Sequence, residues 1–198
     1  MNILSIDYDY FQKVTEKQLK LYPDGIDMTL DESLKAWERS INKLKYRYLI
    51  TSIMNDYEKL YFIADIIADN SSALMKESYT HKDIYNFIIE NTSPDDTLNL
   101  YHLDMHHDAI NNNDELDCGN WCSFLNEERR LNLYWFPNPI SANVYGLGEN
   151  FVPYLHNDLH EIKDIRFDMI FLCMSPCWVP PHLHKDYKIL KENMNLEQ

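Results

Sequence analysis

The chain has 198 residues, 45% of them hydrophobic and 25% charged, which is enough for one domain with a core and excludes a disordered chain. A formal net charge of −14 speaks against nucleic acid, whose phosphates need cations, and suits a cationic partner steered by an acidic surface. Four glycines, with neither a GxGxxG nor a Walker sequence, leave little for a Gly-rich phosphate loop.

The chain opens MNILSIDYDYF, which meets a carboxylate at Asp7 and lacks the long apolar stretch of a signal peptide. No apolar run approaches the roughly 20 residues of a spanning helix, so a cytoplasmic protein without membrane attachment is expected. Asn2–Ile6 reads as a short buried strand, followed by Asp7-Tyr8-Asp9-Tyr10-Phe11. In an extended chain residues i and i+2 share a face, so Asp7 and Asp9 project together and Tyr8 and Tyr10 point the other way. Neighbouring carboxylates repel near a core unless a cation lies between them. An exposed acidic turn is the plainer alternative.

Gln12–Met28 is polar, carries the turn signal Pro23-Asp24-Gly25, and reads as a loop able to lie over a site. Thr29, three residues before Glu32, has the form of a capping box. Leu34, Trp37, Ile41, Leu44 and Tyr48 then recur at spacings of three and four and predict a helix to about Lys45 or beyond. Ser72–Met75 is a short apolar piece, and Ile84, Phe87 and Ile88 give helical spacing from about Lys82. His81 therefore falls at a strand-to-helix junction, although a lone histidine is more often a satisfied core or surface residue. Thr92–Asp96 is a turn into the strand Thr97–Leu103.

Directly after that strand, Asp104, His106 and Asp108 recur at every second position. Hard and borderline ligands are thus delivered to the end of a rigid element, as a metal site requires. Ala109–Asp117 reads as a loop, Trp121–Leu125 as the start of a helix, and Leu131–Phe136 as a strand. Ile140–Pro153 is irregular. Phe167–Met174 is a continuous apolar strand ending in Ser175-Pro176, and Lys185–Asn193 has the form of a terminal helix. Cys118/Cys122 and Cys173/Cys177 are two C-x3-C pairs, wider than the usual zinc spacing, and read as reduced buried thiols, with structural zinc or a disulfide as alternatives. Apolar strands alternating with helical patterns predict a single α/β domain over residues 1–198, a three-layer fold whose mostly parallel sheet carries helices on both faces.

In such a sheet the carboxyl ends of the strands share one edge, so Asp7 and Asp9, His81, and Asp104, His106 and Asp108 are expected to converge. Six ligands are too many for one zinc and suit two divalent ions sharing carboxylates. The preponderance of oxygen favours Mn2+.

Asp104-Met105-His106-His107-Asp108 resembles the D-x-H-x-D motif of the arginase, or ureohydrolase, superfamily. Ser5-Ile6-Asp7-Tyr8-Asp9 is similar to its S-x-D-x-D motif, and His81 lies about as far upstream of Asp104 as that superfamily's first metal histidine. The two motifs stand here in the opposite order, which resembles a circular permutation. HLDMHHD, GNW and the strand leading into SPCW further resemble the small arginase-like group that includes peptide arginases. Those enzymes, in the biosynthesis of ribosomally made peptides, convert arginine of a precursor peptide to ornithine and release urea.

The resemblance implies a hydrolase of linear amidine C–N bonds with two Mn2+ ions per chain and an arginine-containing precursor peptide as partner. By the same resemblance Asp7 and Asp104 bridge the ions, His81 and Asp108 complete one shell, and His106 and Asp9 the other. The proton for the leaving amine has several candidate sources: His107, and more remotely His156, His160, His182 and His184. The superfamily's substrate-side carboxylate has no match; Ser175 is the first position to test, then Asn120 and Trp178. Other readings are an amidinohydrolase of a small free guanidino compound, a zinc-dependent deacetylase, and a non-catalytic acidic peptide-binding protein.

Overall fold

In the computed structural model residues 1–23, 27–110, 115–141, 154–156 and 158–194 are described. Six strands form one sheet in the order β4-β8-β1-β5-β6-β7. These are β1 (Asn2–Asp7), β4 (Leu74–Ser78), β5 (Thr97–Asp104), β6 (Arg130–Pro137), β7 (Tyr154–Leu155) and β8 (Met169–Cys173). Every pairing among them is parallel. Helices α2 (Leu30–Ile41), α4 (Tyr57–Asp69), α5 (Asp83–Asn91) and α6 (Trp121–Glu128) supply the covering layers, with the short α1 (Glu16–Leu19), α3 (Leu44–Thr51) and α7 (Lys188–Lys191).

Alternation along the strands sorts the core into two halves. Leu4 and Ile6 of β1 and Ile170 and Leu172 of β8 pack with residues of α2 and α4. Ile3, Leu98, Leu100, Met169, Phe171 and Cys173 pack on the other face with Ile84, Phe87 and Ile88 of α5 and Trp121, Cys122 and Leu125 of α6. A strand covered on both faces needs a continuous apolar run, which is why the central strands look apolar throughout. The three-layer α/β expectation is met.

Several local expectations change. Thr29 and Glu32 do form a capping box, but α2 stops at Ile41 on an Asn42 C-cap, and Lys43 is extended before α3 begins. Gln12–Met28 is more than a loop. Gln12–Lys13 (β2) pairs antiparallel with Met54–Asn55 (β3), and Thr15 and Gln18 cap α1 in a second capping box. Residues 24–26 of the expected turn, and 142–153 of the irregular stretch, lie outside the described residues. The terminal helix is a 3-10 turn, Pro181–Tyr187, before the short α7. No disulfide joins the four cysteines; Cys122, Cys173 and Cys177 are buried and Cys118 is half-buried. Among the described residues no helix is long and apolar enough to cross a membrane.

Candidate metal centre

Asp7 and Asp104 are the last residues of β1 and β5, which are neighbours in the sheet. Ser5 and Asp7 share a strand face with Ile3, and His102 and Asp104 share one with Leu100, so all four project toward α5 and α6. Beyond Asp7 the chain turns into a 3-10 helix, Tyr8–Phe11, which Asp7 caps by accepting from the Asp9 amide at 3.2 Å. Asp9 therefore reaches the site from a turn, not from an extended chain. The Met105 amide donates to Asp9 at 3.1 Å and the His106 amide to Asp104 at 2.7 Å, fixing the bend after β5.

Two clusters result. His81 Nδ1 lies 2.9 Å from Asp104 Oδ2, 3.1 Å from Asp108 Oδ2 and 3.2 Å from Asp7 Oδ2. His106 Nδ1 lies 3.2 Å from Asp9 Oδ2 and 3.4 Å from Asp104 Oδ1. Asp104 belongs to both, one oxygen to each. All six expected ligand residues are thus brought together. His81 and the four aspartates are buried, and His106 is one-fifth exposed.

The electrostatics are those of crowded carboxylates. Burial raises Asp9 to about 6, helped by the charge of Asp7. Burial and then Asp108, Asp9 and Asp7 hold Asp104 well above the usual carboxylate range. Burial pulls His81 down, but Asp104, Asp108 and Asp7 outweigh it and hold the ring well above its ordinary value. His106 is raised in the same way, against burial, by Asp104 and Asp9. For Asp108 burial is outweighed by His81, and its carboxyl falls below the usual range. Protons do here what a cation would do.

Asp9 Oδ2, Asp104 Oδ2, His81 Nδ1 and His102 Nε2 are buried and meet neighbouring rings and carboxylates at ion-pair distances, but without hydrogen-bond geometry. Buried polar atoms normally find partners, and leaving one alone costs roughly 1–3 kcal/mol. Donor types, spacing and orphaned atoms together fit a metal ion: His81, His102 and Asp104 form one group whose ligand atoms lie within 4.8 Å of one another, and Asp9, Asp104 and His106 form another. This buried cluster can hold metal.

The cluster floors a cavity of about 270 Å³ whose walls include His107, Ile110, Cys118, Gly119, Ser175 and Trp178. Ser175 hydrogen-bonds to Asp7 Oδ2 from a left-handed backbone (φ 44°). Asp108 has a left-handed backbone too (φ 49°). Such conformations cost a non-glycine residue of order 1 kcal/mol and concentrate at functional sites. The His107 Nδ1 accepts from the Ala109 amide at 3.0 Å, so a neutral ring carries its proton on Nε2, and burial lowers its pKa. Asn120 stands apart. Its Oδ1 accepts from the Asp117 amide and its Nδ2 donates to the Glu115 carbonyl, both at 2.8 Å, so it ties up the loop before α6.

The remaining candidate histidines bond elsewhere: His156 to Glu161, His182 to the Ile53 carbonyl and His184 to the Val179 carbonyl, while His160 packs on Phe62. Sequence reasoning missed two participants beneath the cluster. Ser5 Oγ lies 2.7 Å from His81 Nε2, and His102, fully buried and pulled down to about 3 by that burial, lies 3.3 Å from the same hydroxyl. The period of two that links Asp104, His106 and Asp108 extends back to His102 and could have found it. Trp121 was read only as a helix start, yet its indole donates to Asp108 Oδ2 at 2.6 Å. No family model, curated protein or solved structure matches the chain.

Proposed function

We propose that the protein is a binuclear metallohydrolase that cleaves the guanidinium group of arginine side chains in a peptide, yielding ornithine and urea. The observation that carries this reading is the meeting of six ligand-type side chains from three strand ends, with Asp104 shared between two clusters, at the floor of a cavity. The motif resemblance to ureohydrolases supports the reaction class. Asp7 and Asp104 would be shared by two divalent ions, with His81 and Asp108 on one side and His106 and Asp9 on the other. Such a pair supplies, when bound, a water of lowered pKa next to the substrate carbon.

The chain's own residues do the rest. Ser175 holds the Asp7 carboxylate in place through its hydrogen bond. Trp178, with its ring centroid 4.5 Å from that of His106, offers an aromatic wall on which a guanidinium can stack. His107 is a neutral ring with Nε2–H, which suits it to donate a hydrogen bond to the oxygen added at the guanidinium carbon better than to protonate the amine. Apart from Asp7 and Asp108, the described walls carry no carboxylate. The acidic chain, with a net charge of −14, suits an arginine carried on a basic peptide.

The test is incubation with Mn2+ and arginine-containing peptides. A mass loss of one CH2N2 unit per arginine, with urea released, is expected. Urea from free arginine or agmatine but not from peptides would replace the substrate. Metal binding without turnover on any of them would overturn the enzymatic reading.

A further inference from the structure

Resting on the reading that the cluster holds divalent cations, we infer that His102 is itself a ligand of the deeper ion, and that Ser5 makes it one. Ser5 and His102 are register partners on adjacent strands and point to the same face. The Ser5 hydroxyl therefore sits between two rings, 2.7 Å from His81 Nε2 and 3.3 Å from His102 Nδ1. One hydroxyl oxygen has two lone pairs and can accept an N–H from each ring. With a cation in place of the second His81 proton, His81 then carries its proton on Nε2 and His102 on Nδ1, and each offers a lone pair on its other nitrogen.

Those other nitrogens face the same two oxygens. His81 Nδ1 is 2.9 and 3.1 Å from Asp104 Oδ2 and Asp108 Oδ2. His102 Nε2 is 3.5 and 3.7 Å from them. Metal–ligand bonds of about 2.0–2.1 Å in a tetrahedral shell place neighbouring ligand atoms roughly 3.3–3.4 Å apart, so His102 needs little movement to join. The ring is fully buried, and its Nε2 meets no group with hydrogen-bond geometry, although the His106 backbone lies close to the ring. Trp121 packs against both rings, at 5.2 and 5.3 Å between centroids, and holds them in place.

With Asp108 and the shared Asp7 and Asp104, two imidazoles give the deeper ion more nitrogen than the other half has, and suit a borderline ion such as Zn2+, Co2+ or Fe2+. The half around His106, with one imidazole, Asp9 and Asp104, remains richer in oxygen and suits Mn2+. The two ions would then differ.

The test uses the full chain, stripped of metal and labelled with 15N in histidine, with His102 assigned through its backbone. On the first equivalent of Zn2+ the His102 Nε2 signal is expected to move to a coordinated position together with that of His81. His102→Gln should weaken Zn2+ binding more than the ~10–100-fold typical of an outer-shell partner, and Mn2+ binding by less than ~10-fold. Ser5→Ala should cost Zn2+ about 10-fold. An unmoved His102 signal with Zn2+ bound overturns the inference even if the variants do not fold. So does an equal, small loss of Zn2+ and Mn2+ affinity in His102→Gln. If the wild-type chain binds neither ion stoichiometrically, the cation reading itself fails, a result distinct from the other two.

Discussion

Around His81 the cluster lies under cover: the ring stacks on Phe171, leans on Trp121 and shares Ser5 with His102. Around His106 the ring is one-fifth exposed and packs on Trp178 at the wall of the cavity, which Asp7, His81 and Asp108 also line and Asp9 does not. The deep half draws on strand register through Ser5, Asp7, His102 and Asp104 on β1 and β5, with His81 and Asp108 added from turns. The shallow half is built by turns, with Asp9 on a 3-10 helix and His106 on the bend beyond β5. Register is set by the whole sheet, whereas turns answer to a few local hydrogen bonds. The deep half should therefore bind first and release slowly, and the shallow half should exchange.

The change that erases the comparison is Asp104→Asn, because Asp104 serves both halves. Divalent-cation affinity should fall at least ~100-fold in titration calorimetry. The metal-free variant should also melt higher than wild type at alkaline pH, since one of four crowded carboxylates is gone. A lower melting point would show that the carboxylates do not strain the metal-free fold.

Next in size is the contrast between Asp108→Asn and Asp9→Asn. The first should cost the tighter ion about 100-fold, and the second should cost only the weaker, faster-exchanging ion about 10-fold. Equal losses in the two variants would break the distinction between halves.

A third prediction concerns pH. In the metal-free chain Asp9, Asp104, His81 and His106 hold protons more tightly than in the unfolded chain. The folded state then binds more protons, and their contribution to stability is lost as pH rises, for Asp9 through about 6. His102, held neutral down to about 3, opposes this only below its ordinary value of 6.5. Above that value the metal-free melting temperature should fall with rising pH. With excess Mn2+ it should hold or rise, because ligation requires deprotonated ligands. Parallel melting curves with and without metal would contradict this.

The smallest effect is expected at Asn120→Ala. Losing two loop hydrogen bonds should cost on the order of 1–2 kcal/mol in denaturant unfolding and leave cation affinity unchanged. A loss of affinity instead would return Asn120 to the site.

The cluster was legible because chemistry betrays it: carboxylates at the ends of apolar runs are out of place unless something pairs with them. The layers were legible through the apolar strands and the Thr29 capping box. His102 was overlooked because it interrupts an apolar strand as a single buried ring, although it continues the period of two and faces Ser5 across the strands. The turn at Asp9 was hidden because it depends on one side-chain cap from Asp7, which no periodicity records. The end of α2 at Ile41 was hidden because Leu44 and Tyr48 continue the spacing into a separate helix. Asn120 ties up the loop before α6, and a loop-tying amide and a substrate-facing one look alike in a sequence.

The place of β8 has a kinetic consequence. Asp7, Asp9, His81, Asp104, His106 and Asp108 all precede it, yet β8 sits between β4 and β1 and joins the strand that leads to His81 with the one that carries Asp7. During synthesis, a chain that has reached residue 160 already holds those six ligands but cannot bring them to one edge. Assembly waits for a segment that must insert into the middle of a partly formed sheet, a contact of long sequence separation and slow to form. Until then β1 and β4 each present an unpaired edge, and the nascent chain is at its most vulnerable to aggregation and to capture by chaperones.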